Sequence, residues 1–118
     1  MAHKDELGKR GEECAAVFLS AAGYTVIARN WRCSQGEIDL VVERDGEVVF
    51  VEVKTRSGTG FGHPFEAITA VKLARLRRLA GLWCDESEIR PRRIRIDAIA
   101  VIAERGTVPV IEHLAGVF

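Results

Sequence analysis

Apolar and polar residues along this chain follow two rhythms. Leu7, Gly11, Cys14, Ala15, Phe18, Leu19 and Ala22 recur at three- and four-residue intervals, which predicts a helix over Asp5 to Ala22 stopped by Gly23. Glu13 falls opposite that stripe, in solvent. Glu12 falls at its border, where periodicity alone reads it as a surface charge favoured in a helix's early turns. From Tyr24 the rhythm changes to strand-like, and Tyr24 to Arg32 pairs back across a Cys33–Gly36 turn. The stretch Gln35 to Arg56 then reads as two β-branched strands joined at Asp45-Gly46, a dipeptide that favours a type I′ hairpin turn.

With Asp45 and Gly46 as central turn residues, Arg44 faces Glu47, Leu40 faces Val51, Asp39 faces Glu52, and Glu37 faces Lys54. Alternation then puts Ile38, Leu40, Val42, Val49, Val51 and Val53 on one wholly apolar face, ready for a helix. Glu37, Asp39, Val41, Phe50, Glu52 and Lys54 share the other. A glycine-rich loop follows from Ser57 to Pro64. It lacks the Gly-Lys-Ser/Thr ending of a phosphate-binding P-loop and reads as a mobile loop bordering Lys54, its His63 a loop histidine without an assigned task.

Thr69 can cap a second helix, roughly Ala70 to Glu86, with Leu73, Leu76, Leu79, Ala80 and Trp83 as its buried stripe. Arg92 to Ala103 is a strand with Asp97 inside it, a residue that either serves a site or pairs with an arginine. Val108 to Leu114 closes the chain as a strand whose Pro109 suggests a sheet edge. The order α-β-β-β-α-β-β predicts an α/β fold. It would be one mixed central sheet of about five strands flanked by helices, in a single domain over residues 1–118.

Composition changes this picture little. Lys+Arg and Asp+Glu both number 17, so no overall basicity advertises nucleic acid. The basic residues are concentrated, however. Lys72, Arg75 and Arg78 lie along one flank of the second helix, and Arg90, Arg92, Arg93 and Arg95 follow it. They suit a phosphate backbone, or equally a solvated face. Trp31 beside Arg29 and Arg32 suits a base and phosphates less well than it suits packing. Three widely spaced cysteines, with no Cys-x-x-Cys, read as reduced thiols of a cytoplasmic protein, and no long apolar run suggests a membrane.

The chemistry concentrates in the hairpin. Residues facing each other across two strands have Cβ atoms about 4.5–5.5 Å apart, and like charges there are destabilising. Asp39 facing Glu52 is therefore a cost unless a cation or a proton lies between them, or an exposed edge lets water relieve it. A hard divalent cation held by carboxylate oxygens removes that cost. With Lys54 alongside, the set suits phosphodiester hydrolysis: the metal polarises the phosphoryl group and activates water, and the ammonium neutralises developing charge. A Glu-x-Lys alone is more often a solvated strand face.

Asp39, then Glu52-Val53-Lys54 after a hairpin, with Glu12 in the preceding helix, resembles the PD-(D/E)xK nuclease superfamily and its restriction-endonuclease-like αβββαβ core. More closely, Gly8-x-x-Gly11-Glu12-x-x-Ala15, Gly23-Tyr24, Asn30-x-Arg32, Gly36-Glu37-Ile38-Asp39-Leu40, Phe50 to Arg56 and Thr69-x-x-Lys72 resemble the YraN-like family, grouped with archaeal Holliday-junction resolvases. The proline that precedes the superfamily's aspartate is Ile38 here.

This resemblance implies a Mg²⁺- or Mn²⁺-dependent endonuclease acting on structured or branched nucleic acid, DNA before RNA, in recombination or repair. Asp39, Glu52, Glu12 and the Val53 carbonyl would form the metal shell, with Lys54 as the catalytic lysine. Arg32, Arg56, Lys72, Arg75 and Arg78 would contact nucleic acid, and a homodimer would place two symmetric cuts. Two other classes compete: a non-catalytic nucleic-acid-binding module, and a protein-interaction domain whose acidic face meets a basic partner.

Overall fold

A computed structural model describes residues 6–58, Gly60 and residues 62–117. The expected helix start at Asp5, and Thr59 and Phe61 of the loop, lie outside the described residues. Helix α1 (Glu6–Ala21) is followed by strands β1 (Thr25–Cys33), β2 (Gly36–Arg44) and β3 (Glu47–Arg56). A single 3-10 turn (Pro64–Ala67), helix α2 (Ala70–Ser87), β4 (Arg93–Ile102) and β5 (Val110–Leu114) complete the order. The strands form one mixed sheet in sequence order β1-β2-β3-β4-β5. Among the described strands only β3 and β4 run parallel, because α2 carries the chain back across the sheet between them. This is the expected α/β architecture, compatible with a restriction-endonuclease-like core. No helix among the described residues is long and apolar enough to cross a membrane.

Each boundary has a local cause. Helix α1 stops at Gly23, whose φ of +94° only glycine adopts readily, while Tyr24 N–H returns to the Leu19 carbonyl. Asp45 and Gly46 both have positive φ, the signature of the type I′ turn, and Arg44 pairs with Glu47 as expected. Thr69 caps α2 by accepting from Lys72 N–H, and Glu88 ends it in a left-handed conformation. His63 caps the 3-10 turn, completes a capping box with Glu66 and pairs with Glu112 of β5, so it is an architectural residue.

Both faces of the sheet are covered. Against α1 lie Leu40, Val42, Val49, Val51, Val53, Ile99 and Val101; against α2 lie Val41, Val48, Phe50 and Ile96. Ile38 departs from strict alternation and packs with the α2 layer rather than beside Leu40. The β1–β2 register shifts once, between Val26 and Ala28, and then holds. It runs Arg29↔Leu40 then Trp31↔Ile38, passing over Asn30 and Asp39, and Asn30 has a φ of +50°. A left-handed residue in β1 thus occupies the position opposite the aspartate of the hairpin.

Candidate functional site: an acid-lined cavity at the open end of the hairpin

The β2–β3 ladder ends at Leu40↔Val51, so Asp39 and Glu52 do not form the facing ladder pair that the turn geometry predicts. The reason is visible in one hydrogen bond. In an unbroken ladder Val53 would exchange bonds with Ile38. Instead, Val53 N–H donates to Asp39 Oδ2 at 2.8 Å in a buried contact. The carboxylate has taken the place of a backbone acceptor, and the two strands part around it.

The parting opens a cavity of about 440 Å³. It is lined by Leu7, Gly8 and Glu12 from α1, Glu37 and Asp39 from β2, and Glu52 to Arg56 from β3. All four residues expected to carry the chemistry, Glu12, Asp39, Glu52 and Lys54, therefore border one space. Asp39 is 7% exposed and Glu12 9%. Burial of Glu12 overturns the surface-charge reading that helix periodicity favours. It is explained by Gly11: a Cβ there would lie 1.9 Å from Thr55 Oγ1, so glycine lets α1 press onto β3 and carries Glu12 to the cavity wall. Lys54 Nζ stands 3.6 Å from Glu52 Oε2.

The residues expected to meet nucleic acid divide. Arg56 lines the same cavity. Lys72 and Arg75 line a neighbouring one. Arg32 is exposed and paired with Glu37 at 3.3 Å, and Arg78 is exposed on α2; neither lines a described cavity. Trp31 is half-buried, its indole N–H donating to Glu86 at 2.8 Å, which fits packing rather than base stacking. Glu37, which no role in the sequence pattern singles out, also lines the cavity; the face it shares with Asp39 and Lys54 is the signal for it.

The acidic side chains that border the cavity, Glu12, Glu37, Asp39 and Glu52, offer oxygen donors only. Among the described residues no group of three or more His, Cys, Asp or Glu side chains is gathered to hold a metal ion. Oxygen donors of this kind are those a hard divalent cation such as Mg²⁺ or Mn²⁺ takes.

Asp97 stands apart from this cavity. It is fully buried and accepts from Arg95 Nε (2.7 Å) and Nη2 (2.8 Å), His113 Nε2 (2.7 Å) and Gly116 N–H (3.0 Å). Burial pushes its carboxyl up, but the bonds from Arg95, Gly116 and His113 outweigh that and hold it below the usual carboxylate range. Arg95 also donates to Tyr24 Oη at 2.7 Å and to Glu47 at 3.2 Å. Asp97 is thus an arginine partner and not a site residue.

Fold and cavity together define an α/β protein with an acid-lined cleft at the split end of a β-hairpin. The chain belongs to the uncharacterised protein family UPF0102, whose sequence model matches residues 11–101. It is 53% identical over 112 residues to a UPF0102 protein of Clavibacter michiganensis, covering 95% of each chain. It is 54% identical over 118 residues to a UPF0102 protein of Beutenbergia cavernae, covering 99% of each.

Proposed function

We propose that this protein is a divalent-metal-dependent endonuclease of the PD-(D/E)xK type, hydrolysing phosphodiester bonds in structured or branched nucleic acid. The observation that carries the reading is the meeting of Glu12, Asp39, Glu52 and Lys54, from three separate elements, around one cavity. Asp39, Glu52 and the Val53 carbonyl would hold Mg²⁺ or Mn²⁺, with Glu12 closing the shell. When bound, the ion would supply Lewis acidity and a water of lowered pKa. Lys54 neutralises charge building on the phosphoryl oxygens and orients the attacking water. The Val53 N–H holds Asp39 Oδ2 and so restrains the carboxylate at the cavity wall. Arg56 stands at the rim, placed to hold a flanking phosphate.

A second reading, a nucleic-acid-binding module without catalysis, draws support from the lack of a three-carboxylate group among the described residues and from the contact between Glu52 and Lys54. Calorimetric titration with Mn²⁺, joined to a cleavage assay on branched DNA, separates the two. Asp39→Asn is the variant of choice, because its amide oxygen can still accept from Val53 N–H while the charge is lost. Saturable binding and cleavage in the wild type, both lost in Asp39→Asn and Glu52→Gln, support the nuclease. Cleavage that persists unchanged in Asp39→Asn refutes it.

A further inference from the structure

Beyond Glu52 and Lys54, on the α2 side of the sheet, lies the second cavity, of about 230 Å³. Glu37, Glu52 and Lys54 border both cavities, so the two are adjoining rooms with a shared wall. The second is lined differently. Lys72 and Arg75 give it a cationic rim, and Leu76 and Leu79 give it an apolar floor. Gly36 keeps its mouth clear: a Cβ there would come within 3.2 Å of Leu79 Cδ1 and 3.7 Å of Arg75 Cδ. Lys72 sits in the first turn of α2, which carries no acidic residue, and its Nζ is held by the Ala67 carbonyl at 3.0 Å. Acids are the favoured residues at that end of a helix, so here lysine and dipole add instead of cancelling.

We propose that the second cavity seats one unpaired nucleotide, the neighbour of the phosphate held in the first cavity. This rests on the nuclease reading and names its substrate class: a strand that is single at or beside the cut, such as a flap, an end or an open branch point. The seat divides as a nucleotide does, with phosphate on Lys72 and Arg75 and base or sugar against Leu76 and Leu79. Binding a paired backbone needs only the cations, since a duplex turns its bases inward and shows phosphates outward. A small recess with an apolar floor gains something only from a nucleotide that has left its stack.

The test is fluorescence anisotropy in EDTA across a salt series, using a labelled DNA strand of about 15 nucleotides and its blunt duplex. The wild type should bind the single strand about tenfold more tightly than the duplex. An abasic residue walked along the strand should weaken binding several-fold at one position and little elsewhere. Lys72→Ala/Arg75→Ala, both at exposed side chains, should lose the strand preference and lower the salt slope by about 1.4, the share of two phosphate contacts on a single strand. Equal affinity for both forms, a flat abasic walk, or an unchanged slope in the double variant would overturn the proposal. A parallel assay with Mn²⁺ keeps the two readings apart. Cleavage without strand preference removes the nucleotide seat alone, whereas strand preference without cleavage removes the nuclease alone.

Discussion

Two buried aspartates lie in strands on either side of β3, and their surroundings differ in kind. Asp97 in β4 has four donors within 3.0 Å and borders none of the described cavities. Asp39 in β2 accepts from the Val53 N–H and borders a cavity together with three glutamates and a lysine. A carboxylate held by four donors of its own chain is a joint. One gathered with others of the same charge around a space is the candidate for the binding role proposed above.

The contrast can be broken most forcefully at the cavity. Asp39→Asn and Glu52→Gln should each lower cleavage by at least about a thousandfold, roughly 4 kcal/mol in the barrier. Urea midpoints should barely move, and the check is single-turnover cleavage beside chemical unfolding. At the joint the effects should reverse. Asp97→Ala leaves Arg95 and His113 facing an emptied site and should cost about 3–5 kcal/mol of stability. Mn²⁺ affinity of the folded protein should stay the same, and an unfolding curve close to wild type would refute the joint.

A third and smaller effect tests the packing that delivers Glu12. Gly11→Ala drives a methyl into Thr55 and should cost about 1–3 kcal/mol, with slower cleavage as α1 shifts. Thr55→Gly in the same chain should restore part of both. Smallest is the pH response of the joint. Its carboxyl titrates lower folded than unfolded, so its contribution is complete above about pH 4 and fades as pH falls towards the folded value. Urea unfolding between neutral pH and pH 3 should therefore lose less for Asp97→Asn than for the wild type.

Sequence and structure agree where the cause is local. Asp45-Gly46 sets the turn and with it the register from Arg44↔Glu47 to Leu40↔Val51. Thr69 and Gly23 mark helix ends for equally local reasons. Disagreement begins at Asp39, where the expectation assumes unbroken alternation. That assumption fails because a side chain substitutes for a main-chain acceptor and Asn30 turns left-handed opposite it. Ile38 crosses to the other layer as a result. The burial of Glu12 also escapes periodicity, since it depends on contact between Gly11 and a strand more than forty residues away. The Tyr24–Arg95–Asp97–His113 network is invisible for the same reason: it joins residues from the first and last thirds of the chain.

The hydrogen bond from Val53 to Asp39 has a bearing on descent. Because this aspartate helps hold the hairpin's end together, a lineage that abandoned the proposed catalysis would be slow to discard it. Its retention in a relative is weak testimony that the relative is active. Glu52 and Lys54 are the better witnesses: each keeps about a quarter of its side-chain surface in water, and a pair so exposed is worth about 1 kcal/mol or less to the fold. Were the chemistry given up, drift would erase those two first.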